Sequence, residues 1–209
     1  ALITGILRDT AGNPLGGLAL DADCNTGITD VHTGRYSIGV RAGHSHSVYG
    51  DNDDFGPRGF FEPYVSTPQI NANQVIHQDI VATPYTAYLK GRVVDEQGNP
   101  IKGMDFEATN IQHLRSVVST DTNGTFRLGV VAGNWKLSID PDNAWEQGLL
   151  SHKSADITVT DGTDINNLTY TAKRGTRQLT IIMRDNLGRP VPNADLWIST
   201  QIINTNYVM

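Results

Sequence analysis

His44 and His46 stand two residues apart. On an extended strand that spacing puts both imidazoles on one face, with β-carbons roughly 6 to 7 Å apart. Two neutral imidazoles so placed can chelate a transition metal, although no third ligand adjoins them in sequence and a pair of exposed histidines is the plainer reading. Just downstream, Asp51, Asp53, Gly56 and Glu62 fall at the first, third, sixth and twelfth positions of an EF-hand calcium loop, with Asp54 among them. The fifth position is Phe55, which has no oxygen to donate, and no flanking helices are predicted. The 51–62 segment therefore reads as an improvised Ca²⁺ loop or as an acidic solvated turn. Phe55, Phe60, Phe61 and Tyr64 lie in the same stretch, among glycines and prolines. Left exposed, they would make an aromatic platform for a sugar or a protein partner; folded back, they would cap the loop's own small core. Trp145, beside Glu146 and Gln147, is a second exposed-aromatic candidate.

Other chemistry is missing from the sequence. It contains no Gly-x-Ser-x-Gly elbow, His-Glu-x-x-His helix, P-loop or dinucleotide fingerprint, so no catalytic residues are assigned. Sixteen Lys and Arg stand against 22 Asp and Glu, for a net charge of -6 and no basic run. That balance argues against nucleic acid or an anionic membrane surface as partner. Cys24 is the single cysteine, which excludes an intrachain disulfide and a cysteine-rich zinc site. No apolar run is long enough to span a bilayer and no signal peptide is evident, so the segment is expected to be soluble, with Ala1 a mature terminus or a boundary.

The elements that would position these residues follow from an internal repeat. The segment 89–104, Leu-Lys-Gly-Arg-Val-Val-Asp-Glu-Gln-Gly-Asn-Pro-Ile-Lys-Gly-Met, recurs upstream at 3–18 and downstream at 179–194. Its partner segment 122–140 recurs once, from Thr33 to Gly43. Two whole repeats and a third opening result, expected as domains over 1–83, 84–174 and 175–209. Only 18% of residues are charged, 38% are hydrophobic, and Gly, Asn and Thr abound, so the class is all-β. Each Gly-Asn-Pro or Gly-Arg-Pro marks a corner between strands. Strands are predicted over 2–7, 18–23 and 75–82 in the first repeat, and over 156–160 and 165–171 in the second. Tyr36, Ile38 and Val40 alternate with polar neighbours, as do Phe126, Leu128 and Val130, and then Trp135, Leu137 and Ile139. A linker is expected at 173–176, and strands of the third opening at 178–183 and 194–203. Trp135 and Trp197 are predicted core positions. The irregular stretch 43–68 is the expected site of specificity.

The pattern carried by Gly91, Val93, Asp95, Gly98, Pro100 and Gly103, then Asn123, Gly124, Phe126, Leu128, Ala132, Gly133, Trp135 and Leu137, resembles the carboxypeptidase regulatory-like domain family. The likeness is fullest in the second repeat, fair in the first and confined to the opening of the third. It implies tandem seven-stranded transthyretin-like (Ig-like) β-sandwiches, in general non-catalytic modules of secreted or cell-surface proteins, close in shape to the B-type repeats of collagen adhesins. An isopeptide bond of the adhesin kind would need a first-strand Lys, a last-strand Asn and a carboxylate, for which Lys90, Asn167 and Glu107 are available; alternation with Leu89 and Gly91 turns Lys90 toward water. Hydroxyisourate hydrolases share the shape, yet their Tyr-Arg-Gly-Ser terminus has no counterpart after Tyr170. Intradiol dioxygenases hold iron with a His pair spaced like His44 and His46, without the tyrosine context here. The repeat, the resemblance and the missing motifs imply a non-enzymatic extracellular structural or adhesive protein whose partners are other protein chains, among them its own copies; the third opening, with strands 178–183 and 194–203 free to complete a neighbour's sheet, adds a filament joined by strand exchange. The alternative is a carbohydrate-binding accessory module of a secreted hydrolase, meeting polysaccharide through 44–64.

Overall fold

A computed structural model describes residues 1–175 and 182–192. Its strands hang on aspartate corners that the sequence writes three times. Asp9 Oδ1 accepts the N–H groups of Ala11 and Asn13 at 2.9 and 2.8 Å, while Asn13 Nδ2 donates to Oδ2 at 2.8 Å. Asp95 repeats this with Gln97 and Asn99, and Asp185 with Leu187 and Arg189. The carboxylate thus substitutes for the strand that is missing at the bend. Gly12, Gly98 and Gly188 take φ of +87, +84 and +78°, which a side chain would resist. Each corner closes on a bridge: Arg8 to Pro14, Val94 to Pro100, Arg184 to Pro190.

In the first repeat, β1 (Leu2–Asp9), β4 (Arg35–Gly39), β7 (Val75–His77) and β8 (Ile80–Ala82) form one sheet, in which β4 runs antiparallel and β7 and β8 parallel to β1. The facing sheet has the order β3-β2-β5-β6, with β2 (Ala19–Ala22), β3 (Asn25–Ile28), β5 (Ser47–Tyr49) and β6 (Tyr64–Ser66). The second repeat copies the plan. β12 (Thr125–Val130), β9 (Ala87–Val94) and β16 (Ile165–Thr171) make one sheet; β11 (Arg115–Ser119), β10 (Asp105–Asn110), β13 (Gly133–Ile139) and β15 (Ile157–Val159) make the other. Two short strands, β14 (Leu149–Leu150) and β17 (Lys173–Arg174), pair with each other, so 173–174 is strand where a linker was expected. Residues Ala1–Gly175 form one compact unit; in the unit Thr176–Met209 the described residues are the third corner, and the strands predicted at 178–183 and 194–203, with Trp197, lie wholly or largely outside the described residues.

The last strand of each repeat is bulged, which explains one glycine. The predicted strand 75–82 breaks at Gln78 and Asp79, where Gln78 N–H donates to Thr4 O at 2.7 Å. In β16 the register shifts between Ile165 and Leu168. A β-carbon on Gly5 would lie 1.9 Å from Gln78 O, and one on Gly91 would lie 2.1 Å from Leu168 O. The bulge carbonyl fills the space of a side chain, so the first strand must carry glycine there.

Alternating residues build a core in each repeat. Ile3, Leu7, Leu18, Leu20, Tyr36, Ile38, Val48, Phe55 and Ile80 fill the first; Leu89, Val93, Phe106, Phe126, Leu128, Trp135, Leu137, Ile139 and Tyr170 fill the second. The second core also contains Phe61, a residue of the first repeat. No helix among the described residues is long and apolar enough to cross a membrane.

Candidate interaction surface

The stretch between β4 and β6 is ordered by contacts at both ends. His46 is buried: its N–H donates to Thr67 Oγ1 at 3.0 Å, its carbonyl accepts from Thr67 N–H at 2.8 Å, and its Nε2 lies 2.7 Å from Arg41 O. His44 is exposed and meets Ile70 through backbone. The shared strand face expected of this pair does not form: β5 begins only at Ser47, and His44 is exposed where His46 is buried. Among the described residues no three His, Cys, Asp or Glu side chains converge on a metal-sized site. Asp51 instead caps α1 (Asn52–Phe55), accepting the Asp53 N–H at 2.8 Å, and Asp53 and Asp54 occupy the first turn, as carboxylates favour. Glu62 is half-buried, and loss of hydration pushes its carboxyl up, opposed by nearby Arg115 and reinforced by Asp51.

The four aromatics of the stretch part company. Phe55 is fully buried in the first core, beneath Gly50, whose absent β-carbon would lie 2.2 Å from the Phe55 ring. Phe61 enters the second core, edge-on to Tyr85 at 4.7 Å and stacked on Trp135 at 5.9 Å with 6° between the planes. The platform expectation is thus corrected for these two, since burying a phenyl ring is worth about 1.5 to 3 kcal/mol and each found a core within reach. Phe60 packs half-buried against the first core and bridges Pro84. Tyr64 alone stays open, 66% exposed, and the sequence reading missed its neighbour: Tyr49, 44% exposed, faces it in direct register across β5 and β6. The alternation of Ser47, buried Val48 and Tyr49 was the available signal.

Around this loop lie three depressions. Tyr49, Gly50, Glu62, Pro63 and Tyr64 line one of about 310 Å³. A second, of about 520 Å³, shares Glu62, Pro63 and Tyr64 and adds residues of both repeats, among them Thr83, Gln112 and His113. The third, about 410 Å³, lies between α1 and the strands β11 and β12. There Asn52 Nδ2 donates to Val117 O at 3.0 Å, and the Arg127 guanidinium sits 3.3 Å above the Tyr88 ring. Trp145, on α2 (Pro141–Glu146), is 80% exposed and lines none of the three.

Lys90, Glu107 and Asn167 are not brought together. Lys90 pairs with Asp164 at 2.5 Å on the outer face of its sheet; Glu107 bonds Arg115 at 2.7 Å and Ser138 at 2.8 Å on the other sheet; Asn167 is exposed in the β16 bulge with φ of +60°.

The repeats meet through backbone as well as rings. Phe61 N–H donates to Thr83 O at 2.9 Å and Tyr85 N–H to Gly59 O at 2.7 Å, so 59–61 pairs with the short link between repeats.

No curated protein matches the chain. Among solved structures, the Bacillus anthracis TIE protein aligns at 14% identity over 83% of this chain and 34% of its own, with a TM-score of 0.35. A streptococcal ancillary pilin aligns at 14% identity over 85% of this chain and 63% of its own, with a TM-score of 0.36. The minor pilin GBS52 of Streptococcus agalactiae aligns at 11% identity over 86% and 98%, with a TM-score of 0.35. This chain thus spans about a third of the TIE protein and less than two thirds of the ancillary pilin. The model of the carboxypeptidase regulatory-like domain matches residues 88–173, a span that runs from the start of β9 to β17 and holds Gly91, the Asp95 corner and Trp135. The second repeat is thus similar in sequence to the carboxypeptidase regulatory-like domain.

Proposed function

We propose that this chain is a non-enzymatic structural and adhesive repeat protein acting outside the cell, whose copies assemble through exchanged strands into a surface filament. The junction between the repeats carries this reading. Had the sandwiches been independent binding modules, a free linker would serve; here Phe61 is buried in the neighbour's core and 59–61 pairs with 83–85. Such a junction fixes the direction in which one sandwich presents the next, which a repeating scaffold needs and a hydrolase accessory does not.

The third opening supports the exchange of strands. Its Asp185 corner is built like the first two, yet the sequence places Ile181 where Gly5 and Gly91 stand. At Gly5 and Gly91 an added β-carbon would meet the bulge carbonyls of Gln78 and Leu168. In this proposal the sheet of the third opening is completed by a strand from another copy. Light scattering over a range of concentration, on the whole chain and on a version ending at Arg174, tests the reading. The whole chain is expected to gain mass with concentration while the shorter one stays monomeric; two monomers would end the filament proposal.

A further inference from the structure

Glu62, Pro63 and Tyr64 form a ridge with a depression on either side, about 310 Å³ toward Tyr49 and about 520 Å³ toward Gln112 and His113. We propose that this ridge and its two flanks bind a neutral polysaccharide, with sugar rings seated on Tyr49 and Tyr64 and their hydroxyls read by Glu62. The site is independent of the filament reading.

Several observations converge on that ligand. Tyr49 and Tyr64 are opposite each other on adjacent strands, so their rings are side by side on one face. Both keep large apolar faces open to water, and the C–H faces of a pyranose are the natural cover for an aromatic ring. The Tyr64 hydroxyl is held 2.6 Å from Ser47 Oγ, which orients the ring before any ligand arrives and lowers the entropy lost on binding. Beneath, Phe55 packs under Gly50 and is fully buried, so the floor between the tyrosines is rigid. Polar groups border the rings: the half-buried Glu62 carboxylate as an acceptor, then Thr83, Gln112 and the exposed His113 on the far flank.

Charge and size select among ligands. Glu62 has Asp51 nearby, and the cation that acts on it, Arg115, is engaged by Glu107 and Asp140. An anionic polymer would therefore meet repulsion, whereas uncharged hydroxyls meet acceptors. Two depressions sharing one ridge suit a chain of rings better than a single one. A protein partner is disfavoured by scale, since stable interfaces bury about 1,200 to 2,000 Å² in total and this face offers two rings and a short ridge.

Native electrophoresis of the full chain through gels holding a soluble β-glucan, a galactomannan or an arabinoxylan provides the test. Retardation is expected in at least one gel. In that gel Tyr64→Ala and Tyr49→Ala should each weaken binding roughly tenfold, the size of effect that a lost ring contact of about 1.4 kcal/mol produces. Glu62→Gln should weaken it less, Tyr64→Phe should keep most of it, and Trp145→Ala should change nothing. Because both tyrosines are exposed, their variants should melt with the parent; Tyr64→Phe and Glu62→Gln keep the test open if an alanine variant does not. Migration unaffected in all three gels overturns the proposal, as does retardation that survives loss of both tyrosines. Self-association that depends on Tyr64 without any retardation would show a protein contact instead and equally overturn it.

Discussion

The two repeats share seven strands, their order and their corners, yet they fill their cores differently. The second uses Trp135, fully buried on β13; the first has exposed Ser45 at the corresponding sequence position and takes Phe55 from α1, in the loop that follows. That same loop then gives Phe61 to the second core, stacked on Trp135. The departure that leaves the first repeat without a strand-borne tryptophan thus goes with a loop that serves two cores. The repeats are alike in backbone plan and unequal in dependence: the second leans on the first for a core residue.

Removing the tryptophan should have the largest effect. Trp135→Ala should destabilise by about 3 to 5 kcal/mol, the usual cost of deleting a large buried ring, with the loss seen in the second repeat's transition by calorimetry. Phe61→Ala sharpens the comparison further. It changes a residue of the first repeat, but about 3 kcal/mol should be lost from the second repeat's transition; a loss confined to the first would refute the asymmetry. Gly91→Ala and Gly5→Ala probe what the repeats share. Each sets a β-carbon against a bulge carbonyl and should cost roughly 1 to 3 kcal/mol, similar in the two. Unequal costs in chemical denaturation would mean that the bulges are not equivalent.

The smallest effect concerns acid. The Asp9 carboxyl is held below its ordinary 3.8 by the Asn13 side-chain amide, and that of Asp95 by Asn99, with backbone N–H groups adding to both. A carboxyl depressed in the folded state stabilises while ionised. Its contribution is complete above the unfolded value near 3.8 and fades as pH falls through the lower folded value. Melting temperature should therefore drop below about pH 4, and Asp95→Asn should flatten that drop modestly. A profile unchanged by the substitution would remove the corners from the acid response.

Much of the backbone plan was legible in sequence because it is local. Asp9, Gly12 and Pro14 state a corner within six residues. The alternation of Phe126, Leu128 and Val130 states a half-buried strand, and all three are buried. β3 and the break between β7 and β8 were not legible, since neither Asn25–Ile28 nor 75–82 carries a pattern that distinguishes them. The loop aromatics were opaque for a different reason. Phe55, Phe60, Phe61 and Tyr64 sit outside any period, so nothing in their spacing tells which ring finds a core formed by residues far along the chain. Tyr49 gains its meaning only when β5 pairs with β6.

One feature of the sheets bears on how the molecule would respond to being pulled. In each repeat the opening strand lies beside a parallel strand from near the repeat's end: β1 beside β7 and β8, then β9 beside β16, which only the short β17 follows. Tension applied along the chain therefore slides the first and last strands past each other. The hydrogen bonds between them are strained together in shear and must fail nearly at once, whereas antiparallel terminal strands would peel open one bond at a time. The bulge carbonyls seated over Gly5 and Gly91 act on the same seam as catches against that sliding. Each sandwich is thus built to resist stretching along the direction in which its own chain runs.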